Sequence, residues 1–280
     1  MSTKFVANPS IEIPAWKSRP FPHSKDVELL HLPDGRVLTD ACIWRNFMQN
    51  QLGLDPAIVW RQLSQLPDWP DNEPIPFRED GSDVHWICGS HKALNYRGHE
   101  IKRHKIWCQS HYQDGLRRYG YSGWQWRIAN ATHDVEHVEP VRTVARALNT
   151  GLTPRHNHWI VTRYEDGTEN IGFHSDKTAD FQDNSYFVVL KLGVPRPFAL
   201  RLKAGKGEPA HAPFYCEVLE AGTAVFCRAK ADDGLDANSI VEHGVPPIDT
   251  PCGVSGSIVS RCISTVIPWP IVAERIRHRR

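Results

Sequence analysis

Apolar and polar residues alternate in short runs along the carboxyl-terminal half of the chain. After Gly151 we predict eight strands bounded by Gly, Pro or Asp: 158–164, 170–175, 186–192, 197–203, 214–219, 223–228, 239–243 and 257–267. Most of the segments between them are too short to hold a helix. A series of short strands at this spacing is typical of an antiparallel jelly roll, which encloses a pocket between two sheets.

The amino-terminal half shows helical patterns instead. Residues 1 to about 38 are rich in Pro and predict an extended arm. Helices are predicted to begin at Asp40, at Asp55-Pro56 and at Glu139-Pro140, and the last of these ends at Gly151. Their apolar positions recur at helical spacing: Ile43, Phe47 and Leu52, then Ile58, Val59, Leu63 and Leu66, then Val141, Val144, Ala145 and Leu148.

Together these patterns predict an α+β fold that is mainly β, with a double-stranded β-helix (jelly-roll, cupin-like) core and a helical N-terminal extension. We divide the chain into an arm with helices (1–83), a middle region with a support helix (84–155) and the jelly-roll core (156–280). The last two are expected to form one compact unit.

Composition narrows the class of protein. The 280 residues are 40% hydrophobic and 23% charged, as in ordinary globular proteins, and no apolar run approaches the roughly 18 residues of a membrane span. The start lacks the apolar stretch of a signal peptide, so we expect a soluble intracellular protein of the cytoplasm or nucleus, with no membrane partner and no obligate protein partner. The 7 cysteines are scattered without a Cys-x-x-Cys pair, which disfavours a disulfide framework or a zinc-cysteine site.

A local excess of cations and aromatic rings lies between residues 97 and 127, although the net charge of the chain is only +1. Such interleaving suits a surface that contacts phosphates and stacks on a flat ring. Equally, the rings can be core and the cations a solvated face. The segment contains Arg97, Lys102, Arg103, Lys105, Trp107, Tyr112, Arg117, Arg118, Tyr119, Tyr121, Trp124, Trp126 and Arg127.

Candidate metal ligands occur in the second predicted strand. His174 and Asp176 are two residues apart, so on an extended strand both side chains point the same way. With His243 from a later strand they would form a 2-His-1-carboxylate triad, the set that holds Fe(II) and leaves coordination positions open. A competing set is His133, His137 and Glu139, for which helix capping and solvent exposure are the simpler explanation.

Arg261 is the candidate anchor for a carboxylate. It lies in the last predicted strand, where Val259, Ile263 and Ile267 would share its face. A guanidinium on an apolar face needs a carboxylate partner, and 2-oxoglutarate would supply one at its far end. Tyr164 could donate a hydroxyl to the same group. The alternative is that Arg261 pairs with an internal Asp or Glu.

Several short motifs follow one another in the same region. In order they are Trp159-Ile160-Val161-Thr162-Arg163-Tyr164 with Asp166-Gly167, Ile171-Gly172-Phe173-His174-Ser175-Asp176, Leu190-Lys191-Leu192-Gly193 with Arg196-Pro197-Phe198, His243-Gly244-Val245-Pro246, and Arg261-Cys262-Ile263-Ser264-Thr265. This order resembles the AlkB-like family of Fe(II)/2-oxoglutarate dioxygenases over roughly 155–268. The likeness is looser over 93–155, where that family carries its substrate lid.

The resemblance implies Fe(II) at His174, Asp176 and His243, with 2-oxoglutarate held by Arg261, Tyr164 and Thr162. Thr162 stands where the family usually has Asn. Ile263 and Ile267 replace an Asn and a second Arg, and Lys177-Thr178 replaces an acidic residue that often touches the substrate base.

The implied enzyme activity is hydroxylation or oxidative demethylation with O2 as cosubstrate and release of succinate and CO2. The leading substrate is an N-alkylated nucleobase in nucleic acid, with Trp107, Arg103, Tyr121 and Thr178 as candidate substrate-binding residues. The alternative is a 2-oxoglutarate-dependent hydroxylase of a free small-molecule metabolite. A catalytically inactive binding module is a third class.

Overall fold

The computed structural model describes residues 21, 24–66, 103–110, 135–152, 154–231, 236–250, 252–268 and 270, together with the backbone of six further short strands. The predictions that fall elsewhere, including the one for Tyr121, lie outside the described residues.

Among the described elements, strands outnumber helices. The strands are β1 (Val27–His31), β2 (Val37–Trp44), β3 (Ile75–Pro76), β4 (Val84–Trp86), β5 (Leu94–Tyr96), β6 (His99–Ile101), β7 (His104–Gln109), β8 (Gly115–Arg117), β9 (Thr132–Asp134), β10 (His158–Tyr164), β11 (Ile171–His174), β12 (Tyr186–Gly193), β13 (Arg196–Leu202), β14 (Pro213–Leu219), β15 (Ala224–Arg228), β16 (Val241–Val245), β17 (Ser255–Arg261) and β18 (Val266–Pro268). The α-helices are α1 (Phe47–Asn50), α2 (Pro56–Ser64), α3 (Glu139–Leu148) and α4 (Ala237–Ile240), and a 3-10 turn spans Val135–His137.

Two sheets form the body of the molecule. The large sheet has the order β1-β2-β15-β12-β17-β10-β7-β9, and the small sheet has the order β11-β16-β13-β14. From β10 to β17 the chain alternates between the two sheets, apart from the β13–β14 hairpin, and the pairs among these strands are antiparallel. This is the predicted double-stranded β-helix, and the mainly β fold class is confirmed.

The central strands of the large sheet are buried on both faces. Its outer face packs against α2 and α3 through residues such as Val188 and Leu190, and its inner face contributes Phe187 and Val189 to a second core between the sheets. Gly256 allows the helical layer to approach closely, because a Cβ atom there would lie 2.4 Å from the Trp60 ring. The space between the sheets is therefore a largely apolar interior into which polar groups from either sheet must fit.

Two of the three predicted helices are confirmed. α2 begins at Pro56 with the Asp55 carboxylate accepting from the Ala57 amide. In α3 the predicted apolar positions are all buried. The helix predicted from Asp40 is wrong, since residues 37–44 form β2, which pairs with β1 and β15. Residues 41–44 of β2 are all buried and show no polar alternation, and pairing with β1 and β15 makes this segment a strand.

The strand predictions at the carboxyl end also need correction. Residues 237–240 form α4, capped by the Asp236 carboxylate, and strand β16 begins only at Val241. The last predicted strand, 257–267, ends at Arg261.

The arm predicted over 1–38 contains β1 within its described part. Strands β1 and β2 extend the large sheet beside β15, and the division at residues 83 and 155 stays a prediction. Among the described helices, none combines the length and hydrophobicity that crossing a membrane requires.

Candidate functional site

The three predicted metal ligands meet at one end of the space between the sheets. His174 is the last residue of β11 and lies directly opposite His243 of β16, with their ring centroids 4.4 Å apart. Asp176 follows in the loop after β11. One ligand atom from each of the three side chains lies within 4.8 Å of the others. The structure thus brings His243 to a pair that is local in sequence, His174 and Asp176, and the role of all three as ligands stays a prediction.

The two imidazoles are held in a neutral form. Burial lowers the pKa of His243 to about 3, with the neighbouring His174 adding to the effect, and burial likewise lowers the pKa of His174. His174 Nδ1 lies 2.8 Å from the Gly172 carbonyl oxygen, which can only accept. Nδ1 therefore carries the proton, and the Nε2 lone pair is left for the cluster.

The Asp176 backbone is fixed by a single side chain from α4. Asn238 donates from Nδ2 to the Asp176 carbonyl and accepts from the Asp176 amide at Oδ1, each at 2.9 Å. Asn238 is itself buried. This reciprocal pair sets where the carboxylate emerges after β11 ends, because both backbone groups of Asp176 are held to the same amide.

The Asp176 side chain is gripped by Arg261. Arg261 Nε lies 2.8 Å from Oδ2 and a terminal guanidinium nitrogen lies 3.2 Å from Oδ1. Burial works to raise the pKa of Asp176, but the Arg261 charge and then His243 hold that pKa well below its usual range. Each carboxylate oxygen has two lone pairs, so an oxygen that accepts from Arg261 can still coordinate a cation.

For Arg261, the structure shows the internal pairing that the sequence left open. Its assignment to 2-oxoglutarate stays a prediction. Strand β17 ends at Arg261, so the alternation that was expected to carry the same face on to Ile267 does not extend that far. Ile263 is buried in the core between the sheets, as is Arg261, with its amide and carbonyl bonded to the Asn157 side chain.

Tyr164 and Thr162 lie on the inner face of the large sheet. Both are buried, on the β10 positions opposite Ser255 and Ser257 of β17. Burial raises the pKa of Tyr164 to about 12, so its hydroxyl stays protonated and can donate. The structure places these two side chains in the same interior as the triad, several residues further along the sheet.

The predicted substrate residues are dispersed. Trp107 is fully buried in the core between the sheets, with its ring edge-on to His158 at 5.7 Å. Arg103, just before β7, donates to the Asn170 carbonyl at 3.2 Å. Thr178 is half-buried in the turn after the triad, where its carbonyl accepts from the Phe181 amide. Their assignment to substrate stays a prediction.

Sequence reasoning missed other polar groups that face the same interior. Lys191 of β12 is 2% exposed, and Ser255 and Ser257 of β17 are buried beside it in the sheet. The available signal was a single Lys inside the apolar run Phe187-Val188-Val189-Leu190-Lys191-Leu192. Asn238 gave no signal, because its contact with Asp176 depends on how α4 is placed.

The donor set fits a divalent metal. Two neutral imidazoles and one carboxylate, with a second layer formed by Arg261 and the Gly172 carbonyl, are the ligand types and supports that such ions require. The Phe187 and Phe198 rings lie 5.1 and 6.1 Å from the His243 ring and give the cluster an apolar wall.

No protein-family model and no curated protein sequence matches the chain. Among solved structures, OsALKBH1 is similar at 13% identity and a TM-score of 0.42, over 84% of this chain and 100% of that one. A bsmA homologue from Methylobium petroleophilum PM1 is similar at 12% identity and a TM-score of 0.37, over 79% and 87%. The ribosomal oxygenase YcfD from Escherichia coli, solved with cobalt and 2-oxoglutarate, is similar at 15% identity and a TM-score of 0.30, over 45% and 29%.

Proposed function

We propose that this chain is an Fe(II)/2-oxoglutarate-dependent dioxygenase. The observation that carries the proposal is the cluster of buried Asp176 with half-buried His174 and His243, whose ligand atoms lie within 4.8 Å of one another in a double-stranded β-helix. Both imidazoles are neutral and the carboxylate is ionised, which are the protonation states that a metal needs. The Arg261 fork keeps the carboxylate ionised and oriented.

In this proposal the iron, with 2-oxoglutarate and O2, would supply the oxidation that ends in succinate and CO2. The chain supplies position and a dry interior. His174 and His243 offer their lone pairs toward one point, Asn238 fixes the Asp176 backbone, and Arg261 fixes its carboxylate. The Phe187 and Phe198 rings keep water from the side of His243 that they cover.

The test has two readouts. Co(II) titration under anaerobic conditions reports the metal site by its visible absorption, and succinate release with Fe(II) and 2-oxoglutarate reports turnover. We expect stoichiometric Co(II) binding in the wild type and its loss in His174→Ala, with His211→Ala, an exposed histidine, as the matched control. Metal binding without succinate under any substrate would instead indicate a binding module.

For the substrate we propose an N-alkylated nucleobase in nucleic acid, on the cation and aromatic content of residues 97–127. The second candidate is a free small-molecule metabolite, which is favoured by the burial of Trp107 in the core, away from any stacking surface. A succinate-release screen across methylated oligonucleotides and a metabolite panel separates them. Oligonucleotide binding that weakens steeply with salt supports the first, and absence of binding at low salt contradicts it.

A further inference from the structure

Lys191 is a buried cation on a strand whose other inward residues are apolar. It is 2% exposed, and along β12 it shares the inner face with Phe187 and Val189, while Val188 and Leu190 face the helices. A buried lysine at this position destabilises the folded protein unless an anion pairs with its ammonium group.

No described residue supplies that anion. The Lys191 ammonium makes no ion pair or hydrogen bond with any residue that the structure describes. Burial lowers its pKa to about 8, and the charge that adds to the shift is another cation, Arg196, which is itself fully buried. Among the described residues, the Arg196 guanidinium donates only to neutral carbonyls, those of Asp166, Gly167, Glu169 and Pro246.

Hydroxyl groups lie next to this cation on the same face. Lys191 is directly opposite Ser257, which is opposite Thr162, and the next inward pair toward that end of the sheet is Ser255 with Tyr164. The Ser255 hydroxyl is buried without a hydrogen-bond partner among the described residues. A buried hydroxyl beside an ammonium group, neither with a partner among the described residues, forms a receptor for an anion with acceptor oxygens.

The receptor lies within reach of the metal cluster. Phe187, whose ring contacts His243, is four residues before Lys191 on the same strand, so about 13 Å separate their Cα atoms and the lysine side chain can span part of that gap. Arg261 lies at the cluster end of β17 and already holds Asp176. The two cations thus serve opposite ends of one interior.

We propose that Lys191, with the hydroxyls of Ser255, Ser257 and Tyr164, holds the far carboxylate of the dicarboxylate cosubstrate, while Arg261 positions Asp176. This inference rests on the proposed function. It assigns the anchoring charge to the third strand of the β-helix, β12, in place of the last one.

A pair of ligands isolates the far carboxylate. 2-Oxoglutarate and 2-oxopentanoate share the 2-oxo acid end and the five-carbon chain, and only the first has a second carboxylate. Calorimetric titration of the Co(II)-loaded protein should show that the wild type binds 2-oxoglutarate roughly 100-fold more tightly, the size expected for one buried ion pair. Lys191→Met should reduce that ratio to near one and leave Co(II) affinity unchanged.

Lys105→Met is the matched control. Lys105 is also buried and lies on the same row of the sheet, opposite Thr162 in β7. It should keep the wild-type ratio. A ratio retained in Lys191→Met, or lost in Lys105→Met instead, overturns the assignment of Lys191. A wild type that binds neither Co(II) nor 2-oxoglutarate contradicts the proposed function itself, so the two failures are distinguishable.

Discussion

Buried cations lie at both ends of the space between the sheets, and only the one at the cluster end forms an ion pair with a described residue. At the cluster end, Arg261 forms a bidentate pair with Asp176. At the other end, Lys191 and Arg196 lie near each other without a carboxylate partner among the described residues. A paired charge stabilises an existing group, whereas an unpaired one lowers stability until a ligand arrives. This difference indicates a positioning role for Arg261 and a binding role for Lys191. Each role can be tested by removing one charge.

The largest effect should follow from removing the anion at the paired end. Asp176→Ala leaves the Arg261 guanidinium buried without its partner, which should lower the free energy of unfolding by about 3–5 kcal/mol and abolish Co(II) binding. Urea denaturation and Co(II) titration check the two parts.

His243→Ala is a useful comparison. It should abolish Co(II) binding, but its free energy of unfolding should fall only by the amount expected for truncating one side chain, because no buried charge loses its partner. The double variant Asp176→Ala/Arg261→Met should recover stability and not metal binding. Equal stability of Asp176→Ala and wild type would show that the pair contributes nothing to the fold.

The opposite change in the free energy of unfolding is expected when the cation at the other end, Lys191, is removed. The pKa of Lys191 is about 8 in the folded protein against 10.5 for a free lysine, so Lys191→Met should raise the free energy of unfolding at pH 7 by about 3 kcal/mol. Between pH 8 and 10.5 the unfolded chain binds more protons than the folded one, and wild-type stability therefore rises with pH across that window.

The advantage of the Met variant should accordingly be full below pH 8 and should disappear as the pH approaches 10.5. Urea denaturation at pH 7 and pH 10 checks this prediction. A less stable Met variant at pH 7 would mean that the ammonium group already has a stabilising partner.

The two ends also differ in how much of them could be predicted from the sequence. The jelly-roll core that encloses both was predictable because its strands are short and are separated by Gly, Pro and Asp. His174 and Asp176 could be recognised because their spacing is local. β2 was mistaken for a helix because its second half, residues 41–44, is buried on both faces and carries no alternation.

The partner of Arg261 was not predictable, since it depends on where β17 ends and on how the Asn238 side chain holds the Asp176 backbone. Lys191 was recognisable as a charged residue in an apolar run. Its neighbours, Ser257 and Thr162, are known only from the register of the strands in the folded sheet.

A smaller effect should follow from weakening the fork at the paired end. Arg261→Lys keeps the charge and loses the bidentate geometry, so Co(II) affinity should fall about 10- to 100-fold, as is usual for groups that orient a metal ligand. The preference for 2-oxoglutarate over 2-oxopentanoate should persist. Calorimetry with both ligands measures this. Arg201→Lys, at the half-buried pair with Glu242, is the control and should change neither quantity. Loss of the preference in Arg261→Lys would return the anchoring role to Arg261.

The smallest effect is expected from Ser255→Ala, which removes a single hydroxyl at the Lys191 end of the interior. Its Oγ is buried and has no partner among the described residues, so Ser255→Ala removes no hydrogen bond from the ligand-free protein, and its stability should not fall. In the bound state the hydroxyl would donate to a carboxylate, and its loss should weaken 2-oxoglutarate about fivefold while 2-oxopentanoate is unaffected. Calorimetry and urea denaturation of the same preparations provide both values. A loss of stability with unchanged binding of both ligands would make Ser255 part of the fold and would confine the receptor to Lys191, Ser257 and Tyr164.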